Sequence, residues 1–185
     1  MKKRIGIVLG TRPDAIKMAP VVLELRRHSH EFDPVVISTG QHRQMLVQVL
    51  QVFEVGVDVE LDLMQHNQTL SALTCRILTA MDTLLTETPL DCLLVQGDTT
   101  TAFAAALAAF YKQVPVGHIE AGLRTGNIFQ PWPEEANRKL AAGSICGWPG
   151  AAIRVAFKRC ASGATGARAK AAGAHLIIPG SPSRW

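Results

Sequence analysis

The chain has 185 residues, 48% of them hydrophobic and 18% charged, with a formal net charge of +4. Its length suits one domain by the rule of roughly 100–200 residues per domain, and its apolar share is enough for a sizeable core. Residues 1–140 carry 13 Lys and Arg against all 15 Asp and Glu, while residues 141–185 carry 6 basic residues and no acid. The basicity therefore belongs to the tail, the body is near neutral, and no nucleic-acid partner follows.

The chain opens with Met1-Lys2-Lys3-Arg4 and an apolar run, Ile5 to Leu9, that stops at Gly10, Arg12 and Pro13, too short for the apolar region of a signal peptide. That run predicts a buried parallel strand near 4–9, and a helical pattern through Ile16, Val21, Val22 and Leu25 predicts a helix near 13–28. Further strands are predicted near 33–38, 91–95 and 114–119, and further helices near 42–53, 69–86 and 100–112. Val57 to Leu61 alternates and predicts a short edge strand, and Thr99 or Thr100 is placed to cap the Ala-rich helix. Pro131 and Pro133 fix a loop ahead of another helix. Strand–helix alternation with β-branched runs predicts an α/β fold, a Rossmann-like parallel sheet with helices on both faces. No apolar segment approaches about 18 residues, so no membrane span or membrane partner is expected.

Cys75, Cys92, Cys146 and Cys160 form no C-x-x-C pair and no metal-ligand spacing with the six His, so no metal site is expected. Cys75 and Cys92 lie in apolar stretches and read as buried free thiols, consistent with a cytoplasmic protein. The sequence changes character near residue 140. Ala and Gly make up 19 of the 45 residues from Ala141 to Trp185 and the apolar period weakens. The division expected is therefore 1–140 as the domain and 141–185 as an atypical, poorly ordered tail. Excess Ala, Gly and Arg with loss of acids is the product of a GC-rich gene read in a shifted frame. The expectation is a chain truncated or frame-shifted after about residue 140.

Chemistry concentrates where strands end. Gly10 to Lys17 sits on the first strand-to-helix turn, where ligands bind at the carboxyl ends of strands in open α/β sheets. Helix N–H groups and the dipole favour an anion there, and Arg12 and Lys17 add two cations, which predicts a phosphate or pyrophosphate site. Asp98, in Gln96-Gly97-Asp98-Thr99, and Glu120, after Val116 to Ile119, fall at two further strand ends; Glu134 and Glu135 follow the proline loop. Single acids at such places commonly cap helices. Several beside a phosphate cradle fit acid–base work on a substrate with a phosphate leaving group, since crowded carboxylates retain protons and cations steady the departing oxygen. No G-x-G-x-x-G or G-x-x-x-x-G-K-[ST] occurs, which disfavours a nicotinamide fingerprint or a P-loop kinase.

The stretches GTRPDAIKMAP from Gly10, TGQHRQM at 39–45, QGDTTTA at 96–102, HIEAGLRTG at 118–126 and PWPEEANRK at 131–139 resemble the non-hydrolysing UDP-N-acetylglucosamine 2-epimerases. The resemblance is collinear and covers about residues 3–140. It implies two Rossmann-like domains similar to the GT-B glycosyltransferases, with substrate in the cleft between them and no cofactor. The implied reaction interconverts UDP-N-acetylglucosamine and UDP-N-acetylmannosamine for bacterial surface polysaccharides. UDP is eliminated across carbons 1 and 2 to leave a 2-acetamidoglucal and is re-added with carbon 2 inverted. By the same resemblance Asp98, Glu120 and Glu134 are the acid–base carboxylates, and Arg12 and Lys17 hold the sugar diphosphate. Gln41 and Gln44 match positions that touch an allosteric UDP-N-acetylglucosamine in some bacterial members, although Asn67 stands where such members carry Arg. His118 reads as a strand-end residue outside the catalytic set. The family forms homodimers.

Departures from the pattern are Asp14 where Glu is usual and the absence of any match in 141–185 to the family's second domain, which supplies most uridine contacts and a catalytic His; His175 has no recognisable context. Other readings are a non-catalytic sugar-nucleotide-binding fragment, a partner of a full-length epimerase, or half of a glycosyltransferase, the last disfavoured by HIEAGLRTG and PWPEEANRK. Resequencing the gene across codons 135–145 in several isolates is expected to locate a frame break; one unbroken frame through the tail would remove that expectation.

Overall fold

The computed structural model describes residues 1–40, 43–65 and 67–144, so the expectations for Gln41 and for the tail from residue 145 lie outside the described residues. In chain order the elements are β1 (Lys3–Leu9), α1 (Arg12–Arg27), β2 (Phe32–Ser38), α2 (Arg43–Val52), β3 (Val59–Glu60), α3 (Leu70–Glu87), β4 (Cys92–Gln96), α4 (Thr100–Tyr111), β5 (Val116–Ile119) and α5 (Glu134–Ser144). The five strands form one parallel sheet in the order β3-β2-β1-β4-β5. The α/β expectation is met, down to the edge strand inside Val57–Leu61.

Both faces of the sheet are covered, as a wholly parallel sheet requires. Alternate strand residues point to opposite faces: Val8, Val35, Ile37, Leu93 and Val95 pack with α3 and α4. Ile5, Ile7, Leu9, Val36 and Leu94 pack with α1 and α2. Each fully buried Ile or Leu among them contributes about 1.5–3 kcal/mol relative to exposure.

Two details differ from the sequence expectations. The buried stripe of α1 runs through Ala15, Met18, Ala19, Val22 and Leu25, whereas Ile16 is exposed. The small Ala side chains let the helix lie close to the sheet, and their pattern carries the burial that Ile16 seemed to carry. Cys75 is exposed, unlike Cys92. The buried face of α3 is set by Leu73, Ile77, Met81, Leu84 and Leu85. At 3.6 residues per turn, Cys75 lies about 200° from Leu73, on the far side of the helix.

The strand order places the reversal of winding between β1 and β4. One connection series runs outward through β2 to β3, and the other returns through α3 to β4 and on to β5. Crevices open at the carboxyl ends of strands at such a switch point. Here Gly10, after β1, meets the first turn of α4: a Cβ on Gly10 would lie 2.9 Å from both Cβ and Oγ1 of Thr101. Gly10→Ala is therefore expected to destabilise the chain by about 1–3 kcal/mol, the usual scale for overpacking, read as a lowered urea midpoint; an unchanged midpoint would show that this junction yields freely.

Candidate active site at the carboxyl edge of the sheet

The turn after β1 is organised by its own acid. Asp14 Oδ2 accepts from the N–H of Gly10 at 3.1 Å and of Thr11 at 2.9 Å. Burial pushes the Asp14 carboxyl above its ordinary value, against the opposing pull of the Thr11 and Gly10 bonds and of Lys17. Those two amides, of Gly10 ahead of the helix and of its N-cap Thr11, are thus occupied within the protein. The groups left at this helix start include the Arg12 guanidinium, which is exposed and makes no ion pair among the described residues.

Lys17, about a turn and a half further along α1, reaches across the crevice to Glu120. Glu120 follows β5 directly, and Gln96, the last residue of β4, donates its side-chain N–H to the same Glu120 oxygen, Oε2. Three adjacent strands or their helices therefore converge on one carboxylate. Its backbone is in the left-handed region at φ +63°, uncommon for a residue with a Cβ. Such local strain persists where surroundings over-determine it and is a feature of functional sites. The neighbouring Gly97, at φ +70°, lets β4 turn sharply, and its N–H donates to the Ile119 carbonyl oxygen at 2.9 Å.

Asp98 lies beyond that turn and is held from the other side. Arg138 of α5 binds Asp98 Oδ2, and its second nitrogen stands 3.3 Å from Glu135 Oε2. Asn137 Nδ2 donates to the Asp98 carbonyl oxygen at 3.0 Å. Glu135 is fully buried, also accepts from the Thr125 N–H at 3.2 Å, and stands 3.5 Å from Lys139 Nζ. Glu134 opens α5 on the same turn; its Oε2 is buried without a hydrogen-bond partner among the described residues.

His118 is fully buried in β5, with Nε2 2.6 Å from the Gly97 carbonyl oxygen. Burial lowers its pKa below the ordinary 6.5, outweighing the Gly97 bond. A neutral ring carries one N–H, so Nε2 donates to Gly97 and Nδ1 remains a buried acceptor without a partner among the described residues. The ring braces the turn between Gln96 and Asp98.

The predicted residues Asp98 and Glu120 thus lie at the ends of adjacent strands, Lys17 joins Glu120, and Glu134 opens α5, the helix whose Asn137 and Arg138 hold Asp98. Each of the two carboxylates also has a cation, Lys17 at Glu120 and Arg138 at Asp98, because α1 and α5 each direct one to the strand ends. Gln44 falls in the first turn of α2. Sequence reasoning named Glu135 only as one of the acids after the proline loop, and missed Gln96 and Arg138. The signal for Arg138 was available as Glu135 and Arg138, spaced three apart on one face of a helix directly after Glu134.

A Rossmann-like parallel domain with an acid-and-cation crevice at its switch point is the class this geometry defines. The family model described as UDP-N-acetylglucosamine 2-epimerase matches residues 23–156. The chain belongs to the UDP-N-acetylglucosamine 2-epimerase family. A relative from Neisseria meningitidis named UDP-N-acetylglucosamine 2-epimerase is 56% identical over 139 residues, covering 75% of this chain and 37% of the relative. One of the same name from Bacillus subtilis is 53% identical over 141 residues, covering 76% and 37%. The crystal structure of the Neisseria meningitidis enzyme bound to UDP-GlcNAc superposes with a TM-score of 0.74 at 49% identity, covering 86% of this chain and 43% of that one. The Methanocaldococcus jannaschii enzyme in complex with UDP-GlcNAc and UDP gives 0.72 at 29% identity, covering 86% and 43%. The chain thus spans less than half the length of these relatives.

Removing Arg138 leaves buried Glu135 without its nearest cation. Arg138→Met is expected to destabilise by about 3–5 kcal/mol, the scale for breaking one side of a buried pair. Adding Glu135→Gln is expected to recover much of that loss in urea unfolding. Equal stability of wild type and the single variant would show that the pair is not buried in solution.

Proposed function

We propose that this chain supplies the acid–base wall of a UDP-N-acetylglucosamine 2-epimerase site, acting on UDP-N-acetylglucosamine and its C2 epimer, UDP-N-acetylmannosamine, in the cytoplasm. Asp98, Glu120 and Glu134 are the carboxylates that take and return the proton at carbon 2 and serve the departing glycosyl oxygen. Arg12 and Lys17 face the diphosphate and stabilise the charge that grows on UDP as its bond to carbon 1 breaks. Re-addition of UDP to the 2-acetamidoglucal, with the proton returned to the opposite face of carbon 2, completes the inversion and balances the elimination. No cofactor is needed for this chemistry. Gln41 and Gln44 are proposed as contacts for a second, activating UDP-N-acetylglucosamine, and a homodimer is the proposed assembly.

The observation that carries this proposal is the convergence of Lys17 and Gln96 on Glu120, beside Asp98 held by Arg138. A lysine bound to a carboxylate that is itself set in a strained backbone holds cation and base in fixed register, which is what positioning a proton transfer requires. Because the family's cleft has two walls, residues 1–144 alone are expected to give little turnover.

The direct test replaces the matching segment of the Neisseria meningitidis relative with residues 1–140 of this chain and follows deuterium entry at carbon 2 of UDP-N-acetylglucosamine in heavy water. The hybrid is expected to exchange, and Asp98→Asn or Glu120→Gln in it to slow exchange by about 10²–10⁴, the usual contribution of a positioned acid or base. Undiminished exchange in both variants would reject the assigned roles.

A further inference from the structure

The far end of α1 holds a second cluster of donors, at the opposite edge of the sheet from the crevice. α1 closes at His28, whose N–H reaches the carbonyl oxygens of Glu24 and Leu25 at 3.3 and 3.1 Å. The N–H groups of Glu31 and Phe32 return to the His28 carbonyl oxygen at 2.9 and 3.0 Å, and Lys3 N–H donates to the Glu31 carbonyl oxygen at 2.8 Å. These bonds fix a tight turn between α1 and β2. Its result is that one ligand atom from each of His28, His30 and Glu31 falls within 4.8 Å of the others.

We propose that His28, His30 and Glu31 form a binding site for a divalent transition-metal ion, Zn²⁺ in particular, with water completing the coordination. Two imidazoles and one carboxylate are a borderline donor set of the kind that takes Zn²⁺ and its neighbours in the first row. Ligands about 2.0–2.1 Å from a tetrahedral ion stand roughly 3.3 Å apart. His30 Nε2 already lies 3.0 Å from Glu31 Oε1, and the His28 and His30 ring centroids are 6.0 Å apart. The remaining closure therefore needs side-chain rotation only, on a backbone already pinned.

Electrostatics favour a cation at this place. The turn sits at the carboxyl end of α1, the negative end of a 16-residue helix dipole. Glu24 stands 3.3 Å from His28 Nε2 and adds a second carboxylate beside the ion. Of the nearby cations, Arg27 is bound to Glu24 at 3.0 Å, Lys3 to Asp91 at 2.6 Å and Arg4 to Asp33 at 3.4 Å, while Arg26 in the last turn of α1 makes no ion pair among the described residues. The three proposed ligands make no contact with the crevice residues, so the site is independent of the epimerase proposal. Its effect would be structural, because an ion held there ties the last turn of α1 to the start of β2 and stabilises the fold in proportion to its occupancy.

The test uses the full, untagged 185-residue chain with its accessible thiols alkylated, so that cysteine does not compete. Zn²⁺ titration by calorimetry is expected to show saturable binding, and added Zn²⁺ to raise the melting temperature. His30→Ala and, separately, Glu31→Gln change exposed side chains and are expected to leave the circular dichroism spectrum intact while weakening binding by about tenfold or more. With Cu²⁺ in place of Zn²⁺, nitrogen hyperfine structure from imidazole is expected in the electron paramagnetic resonance spectrum and is expected to change in His30→Ala. Absence of binding at millimolar Zn²⁺, or equal affinity in wild type and both variants, would overturn the proposal.

Discussion

A hydrogen atom in place of a side chain at residue 10 is the constraint on which the crevice depends. Because Gly10 has no Cβ, the turn after β1 fits against Thr101, and the starts of α1 and α4 lie side by side at the switch point. That closeness brings the turn after β1 against the turn after β4, where Gly97 leads into Asp98. Two helix amino termini then contribute positive potential to one small volume. The acids at the strand ends stand beside these helix starts, and the cations that pair with them arrive from α1 and α5 rather than from the sheet.

The site is divided between two kinds of support. On one side, Glu120 is set by a strained backbone and two side-chain donors, Lys17 and Gln96. On the other, Asp98 is set by Arg138, which is itself held by Glu135, an acid with no exposure at all. His118, neutral and buried, braces the turn between these halves through the Gly97 carbonyl. Charges are thus paired across elements, so the geometry of each acid reports on the docking of a helix distant in sequence.

The alternation of apolar runs with amphipathic segments made the sheet, its helices and even the two-residue β3 legible in the sequence, because burial on both faces leaves a strong pattern. The strand-end acids were legible for the same reason, since a buried strand ends visibly. What escaped was pairing. Nothing in a run such as Pro131 to Lys139 reveals that Arg138 crosses 40 residues to Asp98, whereas the Thr11-x-x-Asp14 spacing is a capping-box pattern that signals Asp14 reaching back to the Thr11 amide. Ile16 and Cys75 misled because a single apolar residue shows no face until the rest of its helix is phased. The donors at His28, His30 and Glu31 were hidden because their proximity comes from a turn rather than from a repeating spacing.

The left-handed backbone at Glu120 also narrows the paths by which this position can change. A single base change from a Glu codon reaches Lys, Gln, Gly, Ala, Val or Asp. Val is excluded by its branched Cβ in that conformation, while Gly relaxes the turn but leaves Lys17 facing no partner. Asp suits the backbone better than most residues yet falls one methylene short of the lysine. Gln keeps both backbone fit and reach but loses the charge that pairs with Lys17. The position is therefore held by backbone geometry, reach and charge together, and each neighbouring genotype gives up at least one of the three.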